Sequence, residues 1–201
     1  MPHRRPFPID ETALLVVDVQ DSFRADPGRW AERNNLEFEA NLSRLLDAFR
    51  AAERPVFFVL HTDSDPGFEP GGPFSRLMDF LHRREDEPVV VKNTRNAFTS
   101  TDLEKRLEES GIRRLVVTGI QTEQCCETTT RVAGDLGYDV DFVTEATLTF
   151  PIRHVVDRVE EIQPTDAIVR ATEFSLRGRF ARIATVDEIV REIREETRSP
   201  G

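Results

Sequence analysis

The chain has 201 residues, 38% hydrophobic and 32% charged, with a formal net charge of −10 at pH 7. That balance suits one substantial core, excludes the disordered class, and sets the chain against nucleic acid and anionic membrane surfaces, which would repel it. No apolar run approaches the roughly 20 residues of a membrane span, and Met1 to Pro6 lead into no signal-type stretch, so the expected location is cytoplasmic.

Taken from the start, the first apolar and β-branched run is Ala13–Val19. It is too apolar to have one wet face, so it reads as a parallel strand covered on both sides. Asp18, Val19 and Gln20 close it, with Phe23 and then Trp30 beyond. A carboxylate in that position is either a base whose pKa burial has raised or a loop cap. Leu36–Glu53 carries Leu42, Leu45, Leu46 and Phe49 at helical spacing, and Arg54-Pro55 ends it.

The second run, Val56–Leu60, leads to His61-Thr62-Asp63 and then to residues 62–75, whose Pro, Gly and Asp content predicts a long irregular loop. That loop is either a lid over the strand ends or plain surface. The third run, Pro88–Val91, ends at Lys92. A helix is expected from Thr101, with Thr101 and Glu104 as a capping box and Gly111 as its stop.

The fourth run, Leu115–Thr118, passes through Gly119 to Cys125-Cys126 and into a helical pattern that ends at Leu136-Gly137. A thiol in the first turn of a helix is favoured as thiolate by the unpaired N–H groups and the helix dipole. Considered alone, each cysteine is equally a small packed core residue. The two are about 100° apart around a helix axis, so one can face a pocket while the other packs. Adjacent cysteines cannot make a long-loop crosslink, and no structural disulfide is expected. Val140–Val143 and, more weakly, Phe180–Ala184 complete the strands, and a second capping box, Thr185 with Glu188, opens the last helix.

Strands alternating with helices imply right-handed crossovers and a mainly parallel, doubly wound sheet of five to six strands in a three-layer α/β/α sandwich. With no linker or internal repeat, residues 1–201 are expected to form a single domain, its core about 9–191. Ligands in such sheets bind beyond the carboxyl ends of the strands, which gathers Asp18, Lys92 and Cys125 at one edge. A thiol that attacks an amide needs a base and a charge stabiliser, and these residues can supply both.

Three segments then resemble one family, the isochorismatase-like cysteine hydrolases. They are Leu14 to Phe23 with Asp18-Val19-Gln20; Val91-Lys92 with Asn96-Ala97-Phe98 and Thr101-Asp102-Leu103; and Gly119-Ile120-Gln121-Thr122 with Cys125 and Thr128-Thr129. The resemblance runs from about Ile9 to Val190. It implies a catalytic triad of Asp18, Lys92 and Cys125, a covalent intermediate on Cys125, a cis peptide between Ile120 and Gln121, and an oxyanion hole from the Gln121 and Cys125 N–H groups. It implies a small carboxamide or ureido substrate and a homodimer or homotetramer.

Nicotinamidases of this family hold a metal through an Asp-x-His pair, but here the order is His61-Thr62-Asp63, so no metal and no other cofactor is expected. Isochorismatases that cleave a vinyl ether lack the nucleophilic cysteine, so Cys125 argues against that activity. An ether hydrolase, a small-molecule binder or a thiol sensor remain the alternatives. Gln20, Phe23, Trp30, His61 and Phe98 are candidate pocket residues, with Phe150 and Arg153 behind them, and Cys126 is assigned to packing.

Overall fold

A computed structural model describes residues 11–197. Its strands are β1 (Thr12–Val17), β2 (Val56–His61), β3 (Val89–Lys92), β4 (Arg114–Ile120), β5 (Asp139–Leu148), β6 (Ile152–Val156), β7 (Val159–Gln163) and β8 (Arg182–Ile183). Its α-helices are α1 (Pro27–Ala31), α2 (Phe38–Ala51), α3 (Leu103–Glu109), α4 (Glu127–Asp135), α5 (Thr165–Leu176) and α6 (Val186–Thr197).

Six strands form one parallel sheet in the order β3-β2-β1-β4-β5-β8. Alternation along each strand feeds two cores. Leu14, Val16, Val56 and Phe58 pack with Leu42, Leu45, Phe49, Ile189 and Ile193 of α2 and α6. Ala13, Leu15, Val17, Phe57 and Val59 pack with Leu103, Leu107, Ala133 and Leu176 of α3, α4 and α5. The predicted three-layer sandwich is therefore the one observed. Strand order reverses between β1 and β4, and a crevice outside their carboxyl ends is where such folds take ligands.

Local chemistry fixes particular helix starts. The Thr185–Glu188 box forms in both directions, with Thr185 N–H donating to Glu188 Oε2 at 2.8 Å and Glu188 N–H to Thr185 Oγ1 at 3.2 Å. The box expected at Thr101 is replaced. Asp102 is the cap residue of α3, while Thr101 Oγ1 accepts from Leu103 N–H and donates to Ala97 O, so the hydroxyl ties the preceding loop down.

Two features depart from the strand reading. β5 runs on from Val143 to Leu148, with a register shift opposite β4 between Val117 and Gly119. Beyond it, β6 and β7 form a separate antiparallel hairpin to which the sequence reading assigns no element. Its two-residue turn is Asp157-Arg158, both at positive φ (51° and 67°), without the glycine that usually signals such a turn. Its strands carry charges on both faces, so no alternating pattern marks them.

Candidate active site

The carboxyl edge of the sheet gathers its charges by register. His61 and Lys92, the last residues of β2 and β3, are Cα partners in the parallel ladder. Asp18 follows β1 with φ 53°, a left-handed conformation that costs a non-glycine residue about 1–2 kcal/mol and is worth holding only where position matters. Its N–H remains bonded to Val59 O at 2.9 Å.

β4 reaches the same edge through Gly119, at φ 127°. A Cβ there would stand 1.9 Å from Val17 O, so only glycine lets β4 lie this close to β1. The following Ile120–Gln121 peptide bond is cis. Residues Thr122–Cys126 then form a wide turn in which Cys126 N–H bonds Gln121 O five residues back, before α4 begins at Glu127. Cys125 therefore sits in a π-turn ahead of the α-helix, a feature frequent at functional sites, and not in the first α-turn that its spacing suggests.

Lys92 is the hub. Its Nζ lies 2.7 Å from Asp18 Oδ2, donates to Cys125 Sγ at 3.4 Å, and is 3.2 Å from His61 Nδ1. Asp18, Lys92, Cys125 and His61 are all buried. The Asp18–Lys92 contact is an ion pair by distance, yet neither Asp18 oxygen meets a donor in good hydrogen-bond geometry.

Burial pushes the Asp18 carboxyl above its ordinary value, against the pull of Lys92. Burial, reinforced by the Asp18 charge, also pushes the Cys125 thiol up to about 12, with Lys92 opposing. The buried site thus holds a protonated thiol beside Asp18, whose carboxyl takes a proton more readily than an exposed one. A helix terminus favours thiolate, but here desolvation and the Asp18 charge outweigh Lys92.

The remaining candidates separate into distinct settings. Gln20 spends its amide on the backbone of His61, with Nε2 donating to His61 O at 2.9 Å and Oε1 accepting from His61 N–H at 2.8 Å. This side-chain clamp extends the β1–β2 pairing past the last strand residue. Phe23 stands edge-on to Phe68 (5.1 Å between centroids) and stacks near Phe150 (6.1 Å), which also meets Trp30 at 6.2 Å. Phe68 belongs to the predicted irregular loop and meets His61 at 5.9 Å. Phe98 packs in the core beside α3 and α4, near Tyr138. Cys126 is fully buried in that core, and Arg153 pairs with Glu32.

Sequence reasoning passed over Phe68 and Arg95. Arg95 Nη1 is 2.8 Å from His61 Nε2 and 3.5 Å from Asp63 Oδ2. Its signal was its place three residues after Lys92, in the same loop. His61 and Asp63 do not suit a metal, since the ring nitrogens face the cationic nitrogens of Lys92 and Arg95. Among the described residues, no group of three or more His, Cys, Asp or Glu side chains converges as a metal site.

An isochorismatase domain model matches residues 12–174 of the chain. The uncharacterised isochorismatase family protein YrdC of Bacillus subtilis is 32% identical over 183 residues, covering 90% of this chain and 95% of the relative. Nicotinamidase 3 of Arabidopsis thaliana is 33% identical over 155 residues, 69% of this chain and 73% of the relative. Ureidoacrylate amidohydrolase RutB of Agrobacterium fabrum is 26% identical over 224 residues, covering 92% of each. A solved structure of a putative hydrolase of the isochorismatase family from Chromobacterium violaceum superposes with a TM-score of 0.84 at 28% identity, covering 97% of this chain and all of that one.

Proposed function

This chain belongs to the isochorismatase family of hydrolases, and from that premise we propose that it is a metal-independent cysteine hydrolase that cleaves a C–N bond in a small carboxamide or ureido compound. The observation that carries the reading is the contact of one buried ammonium with both a thiol and a carboxylate. The amide- and ureide-cleaving relatives support the bond class.

In this reading, Cys125 is the nucleophile, Asp18 the proton carrier and Lys92 the cation between them. As Sγ bonds to the substrate carbonyl carbon, its proton passes to Asp18, whose raised pKa makes it a competent acceptor. The carbonyl oxygen becomes an oxyanion held by the N–H groups of Gln121 and Cys125. The C–N bond then breaks as Asp18 returns the proton to the departing nitrogen. Water, deprotonated by Asp18, attacks the thioester or thiocarbamate, and the thiol reforms as the acid or carbamate leaves. Phe23, Trp30, Phe68 and Phe150 wall the approach, and the loop carrying Phe68 acts as its lid.

A panel of amides and ureides assayed for ammonia or amine release tests the function. Cys125→Ala should abolish release with its melting transition unchanged, and release that survives in the folded variant overturns the proposal. The raised thiol pKa also predicts that alkylation of the substrate-free protein by iodoacetamide keeps accelerating beyond the ordinary cysteine value of 9.0. A rate that levels off near neutrality would show a thiolate at rest.

A further inference from the structure

An ammonium has three N–H donors; on Lys92 one goes to Cys125 and one lies on the side of Asp18, its ion-pair partner by distance without hydrogen-bond geometry. The third meets His61 Nδ1 at 3.2 Å. We propose that His61 is a positioning residue for the site, holding the Lys92 ammonium between Asp18 and Cys125 through Nδ1 while Asp63 fixes its tautomer. The inference rests on the hydrolytic reading above and adds to it a residue outside the triad.

The hydrogen placement follows from the donors present. Lys92 offers only protons, so Nδ1 accepts, and the ring hydrogen sits on Nε2. Nε2–H then donates to Asp63 Oδ2 at 2.8 Å. The other tautomer would aim an Nδ1–H at the ammonium. Asp63 is itself held, its Oδ1 accepting from Asp65 N–H at 2.8 Å and its Oδ2 lying 3.5 Å from Arg95 Nη1. Burial opposes ionisation of Asp63, but Asp65 N–H, His61 and Arg95 together keep its carboxyl below the usual value. Arg95 Nη1 also donates toward Nε2 at 2.8 Å and by itself favours the other tautomer, but two partners, the donor-only Lys92 at Nδ1 and the acceptor-only Asp63 carboxylate at Nε2, call for the hydrogen on Nε2.

The backbone of His61 is fixed as firmly as its ring. Gln20 grips both its N–H and its C=O, and its Cα is in register with that of Lys92. The ring is buried and covered by the edge of Phe68. The groups facing it are therefore Lys92, Asp18 beyond it, Asp63, Arg95 and Phe68. A buried four-carbon side chain with one anchor fewer has more rotamers to visit, and each swing takes its charge from the thiol.

The test reads Cys125 directly and needs no substrate. Iodoacetamide alkylation, located by mass spectrometry, is timed from neutral to alkaline pH in the wild type and in His61→Asn, His61→Gln and His61→Leu. Asparagine can place its carbonyl oxygen where Nδ1 stands; glutamine reaches only the Nε2 position. His61→Leu and His61→Gln should slow alkylation at neutral pH by about tenfold, the scale of one hydrogen bond to a charged group, and move the profile to higher pH. His61→Asn should recover most of the rate. With any amide the wild type turns over, kcat should fall and KM stay nearly constant.

The proposal is overturned by a wild-type rate and profile in both His61→Leu and His61→Gln, or by an Asn variant as slow as the Leu variant. A raised KM with unchanged kcat also overturns it, making His61 a substrate contact. Should His61→Leu not fold, the Asn and Gln pair decides. A wild type that hydrolyses no amide or ureide sinks the function proposed above, and the alkylation comparison still judges His61.

Discussion

The sheet carries a buried ionic cluster at each end, and they are built on opposite terms. At the amino end, Arg114 of β4 donates to Asp141 of β5 at 2.7 Å and to Glu192 of α6 at 2.6 Å, while Arg182 of β8 meets the same two carboxylates. Each oxygen of Asp141 and Glu192 meets a guanidinium N–H. At the carboxyl end, Asp18 is more deeply buried and has neither oxygen in hydrogen-bond geometry. Burial works against both clusters. Arg182 and Arg114 overcome it and hold Glu192 below its usual value, whereas Lys92 does not overcome it for Asp18. A planar fork saturates a carboxylate, and a point charge shared among three acceptors leaves one reactive. The first cluster joins strands to a helix; the second keeps a carboxylate able to take a proton.

The largest expected effect breaks the carboxyl-end cluster. Asp18→Asn keeps the shape and removes the base, so kcat on any substrate found should fall about 10³-fold, within the range for losing general acid–base catalysis. Loss of less than tenfold would show that Asp18 is structural and that its missing hydrogen bonds are incidental.

Next in size is the amino-end cluster. Arg114→Met strips two buried or half-buried carboxylates of a partner each, which should cost about 3 kcal/mol of stability in urea unfolding. The kcat of the folded fraction should not change. If activity falls with stability, the two ends are coupled and the comparison fails.

What the sequence disclosed tracks how local each cause is. Runs such as Leu14–Val17 and Leu115–Thr118 announce buried strands, and the residues ending those runs fall at one edge by topology alone, so Asp18, Lys92 and Cys125 could be grouped before any coordinates. Gly119 was visible as a residue, but its role depends on Val17 O lying 1.9 Å from a would-be Cβ, a distance between strands a hundred residues apart. Gln20 presents as a pocket residue because its position is right. Only the backbone of His61, 41 residues on, shows its amide to be spent. The hairpin at Ile152–Gln163 hides for the opposite reason: its turn lacks glycine and its strands lack alternation, so no local signal exists. The protonation of Cys125 is legible only in part, because a helix terminus can be inferred from sequence, whereas the depth of burial that opposes it cannot.

The smallest effect is the most specific test of the contrast. Glu192 has a depressed folded-state pKa, so the folded protein binds fewer protons than the unfolded chain as the pH falls toward the ordinary glutamate value of 4.5. Its contribution is therefore present above 4.5 and is lost as the pH drops through the folded-state value. Comparing wild type with Glu192→Gln by urea unfolding, the gap should be widest at neutral pH, about 1 kcal/mol for a pair that is partly exposed, and should close in the acid range. Asp18 has the opposite sign: its raised pKa means that ionisation costs stability, a cost relieved as the pH falls through its folded-state value. A Glu192→Gln gap that stays constant with pH would mean that the Arg114 and Arg182 forks do not hold its charge, removing the difference between the two ends on which the contrast depends.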